Sequence, residues 1–518
     1  MGPLAAVLLV GFGVGCSGPE GGAAGEVVVD DGTIPDVPVP PADGPKLVVL
    51  KHRTIVRDRP SVSGKVLGSL RAGAQVARAE EPYSTHNCAG GWYPIRPKGF
   101  VCAGSDATTD VESPVAKVLA DGPDLSAPLP YRYGRVARGA AVAYGTLPSA
   151  EEQAQAEPKL RSRKPRKATQ LGTGANDVPL DEAGMPTGPP VLMPEAAGVG
   201  GDGYRTTETQ FVYPNDPQQP PAPLAVGVSL LGDGPTAKDT RVLKRRSGVA
   251  MTQSFMVGEG KAARRFAVMP DGRLIPTDRL VPALGTAWHG VDLSKTGLPV
   301  AFALRDGVRL YELDKRRATR TDDELEQGEA TLLTGRFRTI NSVRYFFTRD
   351  EQWMRHKDMI MIPKRNQYPD FATPEQKWID VSLANQTLVA WVGKKPIYAT
   401  LISSGQDRLG DPQSGPATVQ GVFRLLGKHV TRNIDDREVG QAYSVSEVPW
   451  VMEFSDGVSL TGAYWLSRFG EAQSYHNIAT SPVDAHWLWH WSDPALPAGW
   501  DHVVIDGEAK NTVVYVHK

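Results

Sequence analysis

Short runs of alternating apolar and polar residues, broken every few positions by Gly, Pro, Asn or Asp, dominate this 518-residue chain. They predict many strands and few helices. Lys46 to Gly104 carries a clear set: KLVVLK, TIVRDRP, KVLGSL, AQVARAEE, GWYPIR and GFVCAG, separated by Gly/Pro/Ser turns. From Lys377, KWIDVSLANQTLVAWVGKKPIYATLISSG reads as paired strands around a QT turn. Between them, residues 201–375 hold a weak internal repeat. Phe266 to Asp278 and Phe346 to Asp358 have equal length, and each is followed by an apolar-proline step, LVP or IMIP. Each then reaches a tryptophan strand, WHGVDL or WIDVSL, the second after an insertion, RNQYPDFATPEQ. Two related small β units are expected there.

Composition adds location and linkers to this picture. Net charge is −1, so no broad basic face and no nucleic-acid partner are implied. The 54 glycines and 43 prolines concentrate in a few stretches, which marks linkers. Residues 17–45 are expected to be a flexible tether and 107–200 a Pro/Gly/basic linker, in which PYRYGRVARGAAVAYGTLPSAEEQ packs locally. Within that linker, Lys159 to Lys167 (KLRSRKPRK) is either a solvated run or a contact for anionic polymer or headgroups. Leu4 to Gly15 is an apolar run too short to span a bilayer, and it fits a secretory h-region. No later segment approaches 18 uninterrupted apolar residues.

The run ends in Gly13-Val14-Gly15-Cys16, which resembles the lipobox of bacterial lipoproteins. That resemblance implies acylation of Cys16, a membrane anchor and a place in the periplasm or cell envelope; the alternative is an ordinary signal peptide. Only Cys88 and Cys102 remain, and an even pair in an exported chain favours a disulfide over two free thiols. The phrases VRDRPSVSGKVLGSLRAGAQV and GWYPIR…GFV make residues 46–106 resemble a bacterial Src-homology-3-like domain. Such domains bind wall peptides or space other domains. The fragment GVRLYELD…LLTGRF…VRYFFT resembles the same pattern more weakly.

Residues 376–518 carry five ordered blocks: GVFRLLGKHVT, YSVSEVPWVMEF, LTGAYWLSRFG, SYHNIATSPVDAHWLWHW and DPALPAGWDHVVI. With the opening strands they resemble the L,D-transpeptidase (YkuD) family along about 140 residues. The resemblance implies a β-sandwich with short helices. It also implies acyl transfer between wall peptides by a cysteine thiolate, a nucleophile that ionises near neutral pH. The family pattern is HGAYWH and then SHGCxNxSPxDA. Ser474, Ser481, Pro482, Asp484 and Ala485 match it. The family's histidine falls on Tyr475, its glycine on His476, its cysteine on Asn477 and its asparagine on Ala479, while the upstream histidines fall on Thr461 and Leu466. An amide at 477 cannot ionise to a nucleophile, and no cysteine follows Cys102.

The expectation is therefore a mainly β, multi-domain envelope protein whose last domain is a pseudoenzyme without catalytic residues, cofactor or metal. Its partners would be peptidoglycan stem peptides, held through backbone edges and Arg468, or active cell-wall enzymes. The rival readings are a transpeptidase with an unorthodox nucleophile and a purely structural envelope protein. A serine route through Ser474 or Ser481 with His476 needs the two side chains to point at one another. His486 and His490 have zinc-binding spacing, but Trp487 replaces the glutamate of the metalloprotease motif. They are expected on the solvent side of a helix, opposite Trp487, Leu488 and Trp491. Trp450, Tyr464, Trp465, Trp487 and Trp491 are expected as core.

Overall fold

The computed structural model describes residues 32–137, 139–158, 174–190, 211–232, 240–260, 263–434, 444–507 and 510–518. Cys16 with its apolar run, and the basic run 159–167, lie outside the described residues. The protein is mainly β, with strands of 2–11 residues in several sheets. No described helix is long and apolar enough to cross a membrane.

At the N-terminal end, Lys46–Val49 pairs with Gln75–Ala77 and Ala107–Thr108, while Arg53–Arg57, Val66–Arg71, Phe100–Cys102 and Trp92–Pro94 form a ladder. Cys88 and Cys102 are joined as a disulfide beside Trp92 and Phe100. Residues 32–45, expected as free tether, instead lie on this unit: Val37 packs at the disulfide, and the Arg96 guanidinium donates to Pro40 O at 3.1 Å.

Within the expected linker, the segment 130–153 expected to pack locally is folded, but against distant strands. Arg132–Val136 pairs with Gly248–Met251 and Leu280–Pro282, and Ala141–Ala143 pairs with Arg241–Leu243. The helix Ala150–Ala156 is started by a Ser149/Glu152 capping box. Its C-cap Glu157 is buried against Arg264, Arg279 and Tyr144. Tyr131, Tyr133 and Tyr144 supply the apolar anchors of this segment, joined by Leu129 just before it.

Successive units share one ladder. Its order runs Leu280–Pro282, Arg132–Val136, Gly248–Met251, Val445–Ser455, Gly427–Ile434, His502–Val504, Val66–Arg71, Arg53–Arg57 and on to Trp92–Pro94. The seam between the two ends of the chain is the pairing Gly68↔Val503 and Ser69↔His502. A Cβ on Gly68 would stand 2.1 Å from His502 O, so only glycine permits this approach. One apolar core accordingly runs from Leu47 and Val49 through Trp450 and Trp487 to Val516.

The repeat has a structural counterpart. Arg264–Val268, Leu274–Pro276, a 3-10 turn and Leu280–Pro282 follow the same order as Val343–Thr348, Trp353–Arg355, a 3-10 turn and Met359–Ile362. The repeated aspartate sits in each 3-10 turn, buried and bound to arginine: Asp278 to Arg264, Asp358 to Arg305 and Arg355. Each repeated tryptophan donates its indole N–H to a glycine carbonyl, Trp288 to Gly328 and Trp378 to Gly393.

In the C-terminal unit a six-stranded sheet, including Lys377–Ser382, Thr387–Val392, Lys395–Leu401 and Val513–His517, packs on the long ladder. The helix Pro482–Trp491 is apolar nearly all round and buries eight of its ten residues. Lys428, fully buried, closes its C-terminal end. Its ammonium donates to Trp489 O, Ser492 O and Pro494 O at 2.5, 2.9 and 3.0 Å. Burial pushes that amine down to about 7, while three carbonyl acceptors call for all three of its protons.

Candidate functional site

Val445–Ser455 turns at Asp456-Gly457 into Val458–Gly462, which lies parallel to Ile478–Thr480 with Leu460↔Ile478 and Thr461↔Ala479 in register. The two halves of the motif, far apart in sequence, are thus neighbouring strands. Ser481 follows as N-cap of the buried helix, its hydroxyl accepting from Asp484 N at 3.0 Å.

Asn477 is buried, and its amide oxygen accepts from both Ser459 N (2.9 Å) and Ser459 Oγ (3.0 Å). Thr461 is buried within its strand, and Ala479 exchanges both backbone hydrogen bonds with Ser403. Leu466 is half-buried against the cluster around Trp288 and Phe469. These positions form a sealed hydrogen-bonded seam.

Ser474, Tyr475 and His476 are half-buried and make the rim. Ser474 N donates to Ser404 O at 3.0 Å, and Gln406 N donates to Ser474 O at 2.9 Å. Ser404 is itself held by Gln386, a buried residue with φ 54° in the predicted QT turn, whose side chain both donates to and accepts from it. Thr418 Oγ1 donates to His476 O at 2.8 Å and accepts from Gly405 N. His476 Nδ1 lies 3.1 Å from Ala417 O. That carbonyl assigns the ring proton to Nδ1 and leaves Nε2 as an acceptor. The Tyr475 and His476 rings meet edge to face at 4.1 Å.

Among the described residues no hydrogen bond joins Ser474 Oγ or Ser481 Oγ to the His476 ring. Ser481 Oγ is committed to its cap, and the imidazole faces a backbone carbonyl. Ser403, Thr418, Ser459 and Gln386 escaped the sequence reading. Only Gln386, through its turn, left a signal.

Asp484 is fully buried and ties three elements together. It accepts from Gly290 N (2.9 Å), Tyr398 Oη (2.7 Å) and Thr400 Oγ1 (2.6 Å). Desolvation raises its pKa, while these donors and nearby His289 pull it down. The retained aspartate therefore joins the helix to both flanking strands.

Of the two histidines expected on the solvent side, His490 is exposed and His486 is not. His486 is only 2 % exposed. Both His486 and His490 point Nε2 at one backbone oxygen, that of Leu125, at 3.0 and 3.1 Å. Burial pushes His486 down to about 4. His486 is covered because residues 123–133, from the expected linker, strap across the helix and leave His490 at their edge. From the same strap Pro128 O accepts from the Trp450 indole at 2.6 Å, and Tyr133 donates to Glu447 O. Trp450 and Glu447 both hold left-handed backbone, φ 58° and 48°. Among the described residues no group of three or more His, Cys, Asp and Glu side chains could hold a metal ion. Arg468 is exposed. A cavity of about 190 Å³ lies elsewhere, lined by Gly248, Asp271, Arg273, Asn433 and Glu447 among others.

No family model matches this chain, and no curated protein matches it. Solved structures similar to it include the catalytic domain of the Enterococcus faecium L,D-transpeptidase, at 23 % identity over 28 % of this chain and 98 % of that one, with a TM-score of 0.21. A Mycobacterium smegmatis L,D-transpeptidase is 17 % identical over 35 % of this chain and 77 % of its own, with a TM-score of 0.21. An L,D-transpeptidase from Stackebrandtia nassauensis is 17 % identical over 29 % and 58 %, with a TM-score of 0.20. In the Ldtfm-avibactam carbamoyl enzyme, at 23 % identity over 28 % of this chain and a TM-score of 0.21, this chain spans about half the length, 49 %. The solved structures similar to this chain are thus L,D-transpeptidases.

Proposed function

We propose that this chain is a catalytically inert homologue of the L,D-transpeptidases, anchored in the bacterial envelope through Cys16. In this reading it binds peptidoglycan stem peptides or scaffolds active wall enzymes. The single observation carrying the proposal is the state of position 477. An amide stands where the resemblance requires a thiolate, and Ser459 occupies its oxygen with two donors. A primary amide has no ionised form near neutral pH, and its nitrogen lone pair is delocalised, so acyl transfer has no nucleophile there. The rim instead offers a hydroxyl, a phenol and an imidazole, and Arg468 is exposed in the loop that precedes it, groups suited to holding a peptide.

Two measurements test this. Incubation of the purified chain with tetrapeptide-containing muropeptides should yield no new 3–3 cross-link by mass spectrometry; a cross-linked product would overturn the inert reading. Pull-down on isolated sacculi should retain the chain, with retention reduced by Tyr475→Ala, His476→Ala and Arg468→Ala together. No retention would favour a purely structural role.

A further inference from the structure

The unit spanning 300–362 carries a charge pattern that its fold does not use. Val308–Leu313 and Ala318–Leu325 form one hairpin, Ala330–Ile340 and Val343–Thr348 another. The second projects as an arm in which every residue from Thr334 to Thr339 is exposed. Its tip, Asn341-Ser342, has φ of 49° and 64°, the primed two-residue turn that suits a twisted hairpin. Arg338 donates to Asp314 O, which brings the arm against the tip of the first hairpin.

Cations collect where the two tips meet. Lys315, Arg316 and Arg317 stand on one tip, Arg336, Arg338 and Arg344 on the other, all exposed. Among the described residues none of these six makes an ion pair. Elsewhere in the same unit Arg305 and Arg355 share Asp358, and Arg309 meets Glu324. The acidic residues Asp322, Asp323 and Glu324 sit towards the far end of their strand. Glu312 and Asp314 are the exposed carboxylates at the first tip, so cations at the two tips still outnumber them six to two, in a chain whose net charge is −1.

The arginines are also held in place. Arg336 lies over the Phe347 ring at 4.8 Å and Arg344 over Phe337 at 5.2 Å. A guanidinium stacked by its face keeps its N–H edge free for bidentate binding of phosphate. Beneath them Tyr311, Tyr345, Trp353 and Ile340 form a cluster that is already buried. The rings that reach the surface, Phe337 at 57 % exposure and half-buried Phe347, already carry Arg344 and Arg336. The arm thus presents guanidinium rather than open ring faces, which favours a polyanion without bases.

We propose that this double-hairpin tip binds a linear polyphosphate-type anion, such as a phosphodiester-linked wall polymer lacking bases. The probe is long-chain inorganic polyphosphate, titrated into the purified full chain at several salt concentrations. Binding should weaken steeply as salt rises. Arg336→Gln/Arg338→Gln/Arg344→Gln should lose at least about tenfold in affinity at low salt and flatten the log Kd against log salt slope by about 2. The control Lys98→Gln/Lys364→Gln/Lys395→Gln removes the same charge elsewhere and should change affinity less than threefold. Replacing the three arginines by lysine should recover only part of the binding, and thermal unfolding of each variant confirms that the fold survives. Equal losses in the two glutamine triples would overturn the proposal. So would tighter binding to oligo-dT of matched charge, or to anionic lipid vesicles, than to polyphosphate.

Discussion

The two halves of the segment 474–485 behave differently. The second half, Ser481 to Ala485, is buried; Ser481 caps the helix, and Asp484 bonds it to the strand Lys395–Leu401 and to Gly290. The first half, Ser474 to Asn477, has a half-exposed rim and one buried amide that reaches no further than Ser459. The buried half ties the helix into the fold, and the rim carries little of it. A framework residue cannot drift without leaving buried donors unsatisfied, whereas a reacting residue can be exchanged for one that closes its local hydrogen bonds.

This contrast makes graded predictions. Asp484→Ala strands the donors of Gly290, Tyr398 and Thr400 in a dry core. It should cost about 3–5 kcal/mol in chemical denaturation or prevent soluble expression. A loss below 1 kcal/mol would erase the distinction between the halves.

Acidification should act on the same framework. His486 and His502 are held down to about 4 and about 3, in each case chiefly by burial. The unfolded chain therefore binds more protons below pH 6.5, so stability is present above that pH and is lost as pH falls towards 4. His486→Gln should reduce the slope of stability against pH in this window, measured by urea midpoints. Lys428→Ala removes the cation shared by three carbonyls and should cost roughly 2–3 kcal/mol. Asn477→Ala frees only the two Ser459 donors, for roughly 1–2 kcal/mol. Tyr475→Ala and His476→Ala should each fall within about 0.5 kcal/mol, with any effect read in sacculus binding.

Much of this was legible in the sequence because it is local or periodic. The strands of 46–104 and 377–401 follow from alternation and turn residues. The repeat was visible in Phe–Asp spacing, since Asp278 and Asp358 each need an arginine partner. Linker composition misled at 123–129 and 154–158, outside the segment expected to pack, where Leu125, Leu129 and Glu157 are tied to distant elements. The helix 482–491 misled in the opposite sense. His490 is exposed as expected, but His486 is covered by a strap from about 360 residues away in the chain.

By itself the sequence determined that position 477 holds an amide, that no thiol follows Cys102 and that the chain folds mainly as short strands. Those are properties of residue identity and local pattern. Only the tertiary structure decided that Asn477 answers to Ser459, that Asp484 is a buried joint and that the two ends of the chain meet at Gly68 and Val503. It also decided that two basic turns stand together on one exposed tip. The reason is common to all of these: such pairings join residues remote in sequence, and which ones meet is set by how the sheets stack and which faces they bury.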